Sequence, residues 1–167
     1  MTMNQSETPY HPWSTYAAAR EEARQRGDRR IGTEHLVLGL LRDEDIEELL
    51  GTTLGAAREE FSRLDRGALG AIGVAPVPEV PLLAERSLPP RPTIRSVLEQ
   101  RIKMTPAAKG ALQQAGNPMR RGEHITPGRV LAALLENRPP DPGVGLLIAL
   151  GVDLAEVRRR LREADAN

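Results

Sequence analysis

The chain has no cysteine, which excludes disulfide bridges and thiolate metal sites. Its aromatics are few: Tyr10, Trp13, Tyr16 and Phe61, all within the first 61 positions. Surfaces that stack nucleic-acid bases need more. Twenty-three basic residues balance 23 acidic ones, so the basic footprint of a nonspecific nucleic-acid binder is missing and no such partner is expected. Lysine is nearly absent, at Lys103 and Lys109 alone. Neither follows a glycine, as the lysine of a phosphate-cradling P-loop must, so the chain is not expected to hydrolyse ATP. Nothing approaches the roughly 18 continuous apolar residues of a membrane span, and nothing reads as a signal peptide. A cytoplasmic protein without a membrane partner is therefore expected. His11, His35 and His124 lack metal-ligand spacing. Gly143-Val144-Gly145 lacks the third glycine and the preceding strand of a dinucleotide site. No nucleophile stands beside a base in sequence. The expectation is a non-enzyme with no metal, no cofactor and no catalytic residue.

What the sequence does have is a duplication. Ile31-Gly32-Thr33-Glu34-His35-Leu36-Val37-Leu38-Gly39-Leu40-Leu41 aligns with Ile125-Thr126-Pro127-Gly128-Arg129-Val130-Leu131-Ala132-Ala133-Leu134-Leu135 at an offset of 94. Further on, Leu50-Gly51-Thr52-Thr53-Leu54 aligns with Leu150-Gly151-Val152-Asp153-Leu154 at an offset of 100. The difference places a six-residue insertion around Arg138 to Gly145 in the second copy. Repeats that tolerate loop insertions are characteristic of helical units. With 40% hydrophobic and 28% charged residues, the chain has the composition of a globular domain.

Periodicity and punctuation divide it further. Residues 1–12 are polar and expected to be flexible, and residues 13–66 form the first unit. Its opening helix starts at Ser14 or Thr15 and runs to Arg26, ending at Gly27. Thr33 begins the next, with Leu36, Val37, Leu40 and Leu41 on one face. Short helices follow near Asp45–Leu50 and Thr53–Leu64. Residues 67–103 read as a Gly/Pro-rich linker, because six prolines between Val74 and Pro92 preclude continuous helix. An extra helix over Thr93–Lys103 is compatible with the pattern. The second unit, 104–164, has helix starts at Thr105-Pro106 and Thr126-Pro127, where proline at the first helical position needs no amide donor. Asp153 with Glu156 opens its last helix.

Glu21-Glu22-Ala23-Arg24 followed by Ile31-Gly32-Thr33-Glu34-His35-Leu36 resembles the Clp N-terminal (Clp R) domain, the double helical repeat that precedes the AAA+ motors of ClpA- and ClpC-type unfoldases. Met104-Thr105-Pro106-Ala107-Ala108-Lys109 is similar to that family's Phe-Thr-Pro-x-Ala-Lys start, and Leu150-Gly151-Val152-Asp153-Leu154 to its closing turn. The resemblance covers roughly 14–64 and 104–162 and degenerates in the second copy, where Pro127-Gly128-Arg129 stands for Thr-Glu-His. It implies an all-α fold of two four-helix repeats about a pseudo-two-fold axis. No motor accompanies them here, which suggests a stand-alone member, a type known in actinobacteria.

The resemblance also implies ligands. Family members dock adaptors and substrates, and some bind phosphorylated arginine or cyclic peptides. Thr33 and Glu34 carry over to phosphoarginine: helix-start amides meet phosphate while a first-turn carboxylate holds a guanidinium. Gly128 removes that carboxylate from the second copy, leaving the Thr126 hydroxyl. Without any ligand, Thr33 reads as a cap, Glu34 as a first-turn acid facing the helix dipole, and His35 as a buried or capping histidine. Tyr16, Met104 and Lys109 match peptide-groove positions; Tyr16 and Met104 read equally as core. Arg24–Arg30 and Arg158–Arg162 read as solvated faces. The expected function is a Clp-system binding protein that engages substrates, adaptors or degradation tags as regulator or decoy. The alternative is a sequestering protein for cyclic peptides. A hydrolase or a DNA-binding regulator has little to support it.

Overall fold

A computed structural model describes residues 12–73, 102–116 and 125–165. The expected flexible start and the extra helix before Lys103 lie outside these, as does most of the linker. Eight helices and one minimal strand pair are described. The first repeat holds α1 (Pro12–Arg26), β1 (Arg30–Ile31), α2 (Thr33–Leu40), α3 (Glu44–Leu50) and α4 (Leu54–Ala71). The second holds β2 (Lys103–Met104), α5 (Pro106–Ala115), α6 (Pro127–Leu135), α7 (Pro142–Ala149) and α8 (Leu154–Asp165). The fold is all-α, as expected.

Local chemistry accounts for most boundaries. Asp43, Thr53, Thr105, Thr126 and Asp141 each accept backbone N–H groups at the start of the following helix, with proline next at Pro106, Pro127 and Pro142. Asp153 does the same for α8, accepting from Ala155 and Glu156. Gly51 and Gly151 end α3 and α7 with φ of 64° and 75°, a region only glycine enters freely. Three features differ from the sequence reading. α7 occupies Pro142–Ala149, where the sequence reading placed no helix but an insertion around Arg138 to Gly145; Asp141 and Pro142 start it. α1 begins at Pro12, so Ser14 and Thr15 lie inside it. α4 continues seven residues past Leu64, through Gly67 and Gly70. Each helical glycine costs about 1 kcal/mol against alanine without forcing an end; termination waits for Gly73 at φ 78°. Leu69 on the extension is exposed, as are Leu64 just before it and Ile72 just after it.

α2 is the hub. Seven of its eight residues are buried, because α1, α4, α5, α6 and α7 all pack around it. Small residues allow the closest approach. A Cβ on Gly39 would sit 2.9 Å from the Thr15 carbonyl and 3.0 Å from the Ala19 nitrogen. In the second repeat, Ala108, Ala111 and Ala115 form the buried face of α5. Leu40 and Leu41 are buried like their counterparts Leu134 and Leu135. β1 and β2 run parallel, pairing Arg30 with Lys103 and Ile31 with Met104. The Thr105 N–H extends the ladder to the Ile31 carbonyl at 2.8 Å.

Candidate functional site

The start of α2 is where the two repeats meet. Gly32, not Thr33, is the N-cap residue, with φ −96° and ψ −178°. A Cβ on Gly32 would overlap the Glu34 carboxylate, a flexible side-chain end that would have to move aside. The Glu34 side chain folds back over its own helix start instead of pointing outward.

Thr33 is buried and belongs to both repeats. Its hydroxyl donates to Asp141 Oδ1 at 2.9 Å and accepts from the Gly143 N–H at 3.0 Å. Asp141 also caps α7 through the Gly143 and Val144 amides. Thr33 thus completes the cap of a helix 110 residues downstream. Gly143 allows the approach, since a Cβ there would come within 2.8 Å of the Thr33 backbone. With its hydroxyl engaged inside the molecule, Thr33 leaves Glu34 as the polar side chain of this first turn nearest to solvent.

His35 is the buried, capping histidine that the sequence allowed. Its Nδ1 accepts the Gly32 N–H at 3.1 Å and lies 3.0 Å from Glu34 Oε1; its Nε2 lies 3.0 Å from Asp28 Oδ2. The Phe61 ring meets the imidazole edge-on at 5.6 Å, and the Arg26 guanidinium covers the same phenyl ring at 3.8 Å. Burial pulls the imidazole pKa down, but the hydrogen bonds and charges of Glu34 and Asp28 outweigh it, so the net shift is upward. Glu34 Oε2 is buried and has no hydrogen-bond partner among the described residues.

A second buried charge, Glu22, sits in the same repeat. Arg42 donates to it at 2.7 Å, and Arg58 forms a two-pronged pair at 2.9 and 2.7 Å. Burial would raise this carboxyl, yet the Arg58 and Arg42 hydrogen bonds and charges prevail and hold it below the ordinary glutamate value. This cluster ties α1 to α4 and to the turn after α2.

The other expected positions are dispersed. Thr126 is the N-cap of α6, its hydroxyl accepting the Arg129 N–H at 3.2 Å. Met104 and Tyr16 are half-buried against the core. Met104 pairs with Ile31 two residues ahead of Thr33, so β2 brings it close to the α2 start. Lys109 is exposed on α5. Asp28 and Asp141 were not singled out in sequence, and Gly143 only within a glycine pair that lacks the pattern of a dinucleotide site. Asp141-Pro142 carries the same helix-start pattern as Thr105-Pro106, which could have located α7. No local pattern links Asp141 to Thr33.

Among the described residues, no group of three or more potential ligands is placed to hold a metal, and no helix is long and apolar enough to cross a membrane. Comparison with curated proteins gives no match. Comparison with protein families matches residues 11–139 to the Clp repeat (R) N-terminal domain. The match ends at Pro139, and α7 and α8 beyond it complete the second unit. With more than three quarters of its length matched and the repeated helical units in place, the chain belongs to the Clp repeat (R) N-terminal domain family.

Proposed function

We propose that this protein is a non-enzymatic binding module that engages substrates, adaptors or degradation tags of the Clp system, as a regulator or a decoy for an unfoldase's own N-terminal domain. The observation that carries the reading is Glu34. It is a first-turn carboxylate at the interrepeat joint of a Clp repeat fold, and one of its oxygens lacks a partner among the described residues. A guanidinium would supply the missing donors, and the amides of the α2 start favour an attached phosphate. Phosphoarginine is the tag chemistry that fits both, at one site per chain, because Gly128 stands at the matching place in α6.

Degradation of an arginine-phosphorylated substrate by a purified Clp unfoldase–protease, with and without this protein, tests the reading. A decoy lowers the rate as its concentration passes that of the unfoldase; an unchanged rate with no co-elution of any component overturns it. A second reading, sequestration of cyclic peptides, draws on Met104 and Tyr16, whose half-buried side chains keep apolar area toward solvent. Protection of the unfoldase from such a peptide, with no effect on untreated enzyme, would favour it.

A further inference from the structure

His35 Nδ1 has two neighbours that need opposite states of the ring. The Gly32 N–H, at 3.1 Å, requires a lone pair on that nitrogen. The Glu34 carboxylate, at 3.0 Å, requires a proton there. One nitrogen satisfies one of them at a time. Nε2 is engaged with Asp28 in either state, as donor to its carboxylate. We propose that protonation of His35 latches the Glu34 carboxylate inward over Gly32, and that loss of the proton releases Glu34 to a guanidinium partner.

The inward position is poorly held without that proton. Glu34 Oε1 then faces the Nδ1 lone pair, while Oε2 is already buried without a partner among the described residues. The Glu34 side chain is 14% exposed, so part of it already meets solvent. The surrounding charges keep the ring titratable. Asp28 faces it from the turn after α1, and Glu34 from α2 itself. Arg26 of α1 lies beyond the Phe61 ring, its Nε 3.4 Å from Asp28 Oδ2 and its terminal nitrogen paired with Asp65 of α4. The two carboxylates nearest the ring outweigh burial, and the imidazole pKa is displaced upward from 6.5.

The latch rests on Glu34 as the ligand-binding carboxylate, but its test does not. In the full chain, the His35 ring and the Glu34 side-chain carboxyl are followed together by NMR across pH 5 to 9, in wild type and in Glu34→Gln. The expected result is a His35 titration above the ordinary histidine value, mirrored by the Glu34 carboxyl signal and moved down in Glu34→Gln. A His35 titration that is unmoved in Glu34→Gln, or a Glu34 signal that ignores it, overturns the latch. Free phosphoarginine is then titrated calorimetrically at pH 5.5 and 8.5. Affinity rises on the order of tenfold at the higher pH, an ordinary degree of coupling, and by reciprocity the ligand lowers the His35 titration point. Equal affinity at both pH values overturns the release step. No binding at either pH removes phosphoarginine as the ligand, while the ring titration still decides the latch.

Discussion

The two repeats treat corresponding positions differently, and the contrast separates what a helical unit needs from what a site needs. The turn between third and fourth helices is kept: Leu50-Gly51 through Thr53 and Leu150-Gly151 through Asp153 both use a left-handed glycine followed by a capping oxygen. The start of the second helix is not. In α2 it is Gly32-Thr33-Glu34-His35, with polar contacts outward to Asp28, Asp141 and Gly143 and two more within the segment, from His35 to Gly32 and to Glu34. In α6 it is Thr126-Pro127-Gly128-Arg129, where the Thr126 hydroxyl caps its own helix by accepting the Arg129 N–H. Gly128 lies where a Cβ would meet Leu161 at 3.2 Å, so that position is occupied by packing against α8. Arg58, which pairs with Glu22, has Arg158 as counterpart, and Arg158 instead donates to the Leu135 carbonyl at 2.6 Å. A helix start can be made in many ways; a charged cluster needs particular partners.

If the units share one core plan, equivalent leucines should matter equally. Leu40→Ala and Leu134→Ala, both at buried positions, should each cost about 2–5 kcal/mol in chemical denaturation. A gap between them wider than that range would show that one repeat carries the fold alone.

The binding asymmetry comes next. Glu34→Ala should weaken phosphoarginine by about 1.5–3 kcal/mol, the worth of a charge-assisted hydrogen bond, while stability shifts by about 0.3–1 kcal/mol. Calorimetry should find one site; two equal sites, or no heat from wild type, would end the phosphoarginine reading.

The joint between repeats is sharpened by two glycines of α7. Gly143→Ala drives a Cβ into the Thr33 backbone and should destabilise by about 1–3 kcal/mol. Gly145 has open space, and Gly145→Ala should stabilise by up to about 1 kcal/mol through helix propensity. Thermal melts of both variants provide the check; equal effects would mean the joint yields without cost.

The smallest effect is a slope. The folded pKa of Glu22 lies below its ordinary value of 4.5, so its contribution is complete above that pH and is lost as pH falls through the folded value. The stability difference between wild type and Glu22→Gln should therefore shrink on acidification below 4.5. The second repeat has Gly116 at the matching offset. A difference that stays constant down to pH 2 would mean the Arg42 and Arg58 pairing does not hold in solution.

The fold class and most helices were legible because they depend on neighbours within a few residues: Thr53, Thr105, Thr126 and Asp153 each cap their own helix, whereas α7 behind Asp141 was not placed. The overrun of α4 past Gly67 was missed because glycine weakens a helix without stopping it. The Thr-Glu-His motif was found, but its division of labour was not. In sequence Thr33 reads as the cap of its own helix; in the fold it serves a helix 110 residues away.

By itself, then, the sequence determined the helical repeat, most of its helix starts and the shared Leu-Gly turn, since hydrogen bonds and backbone preferences act over one helical turn. The tertiary structure alone decided that Thr33 joins the repeats, that Arg42 and Arg58 converge on Glu22, and that Asp28 closes on His35. Those contacts depend on how helices pack, and packing is set by the summed apolar surface of many residues, with no local pattern naming the partners.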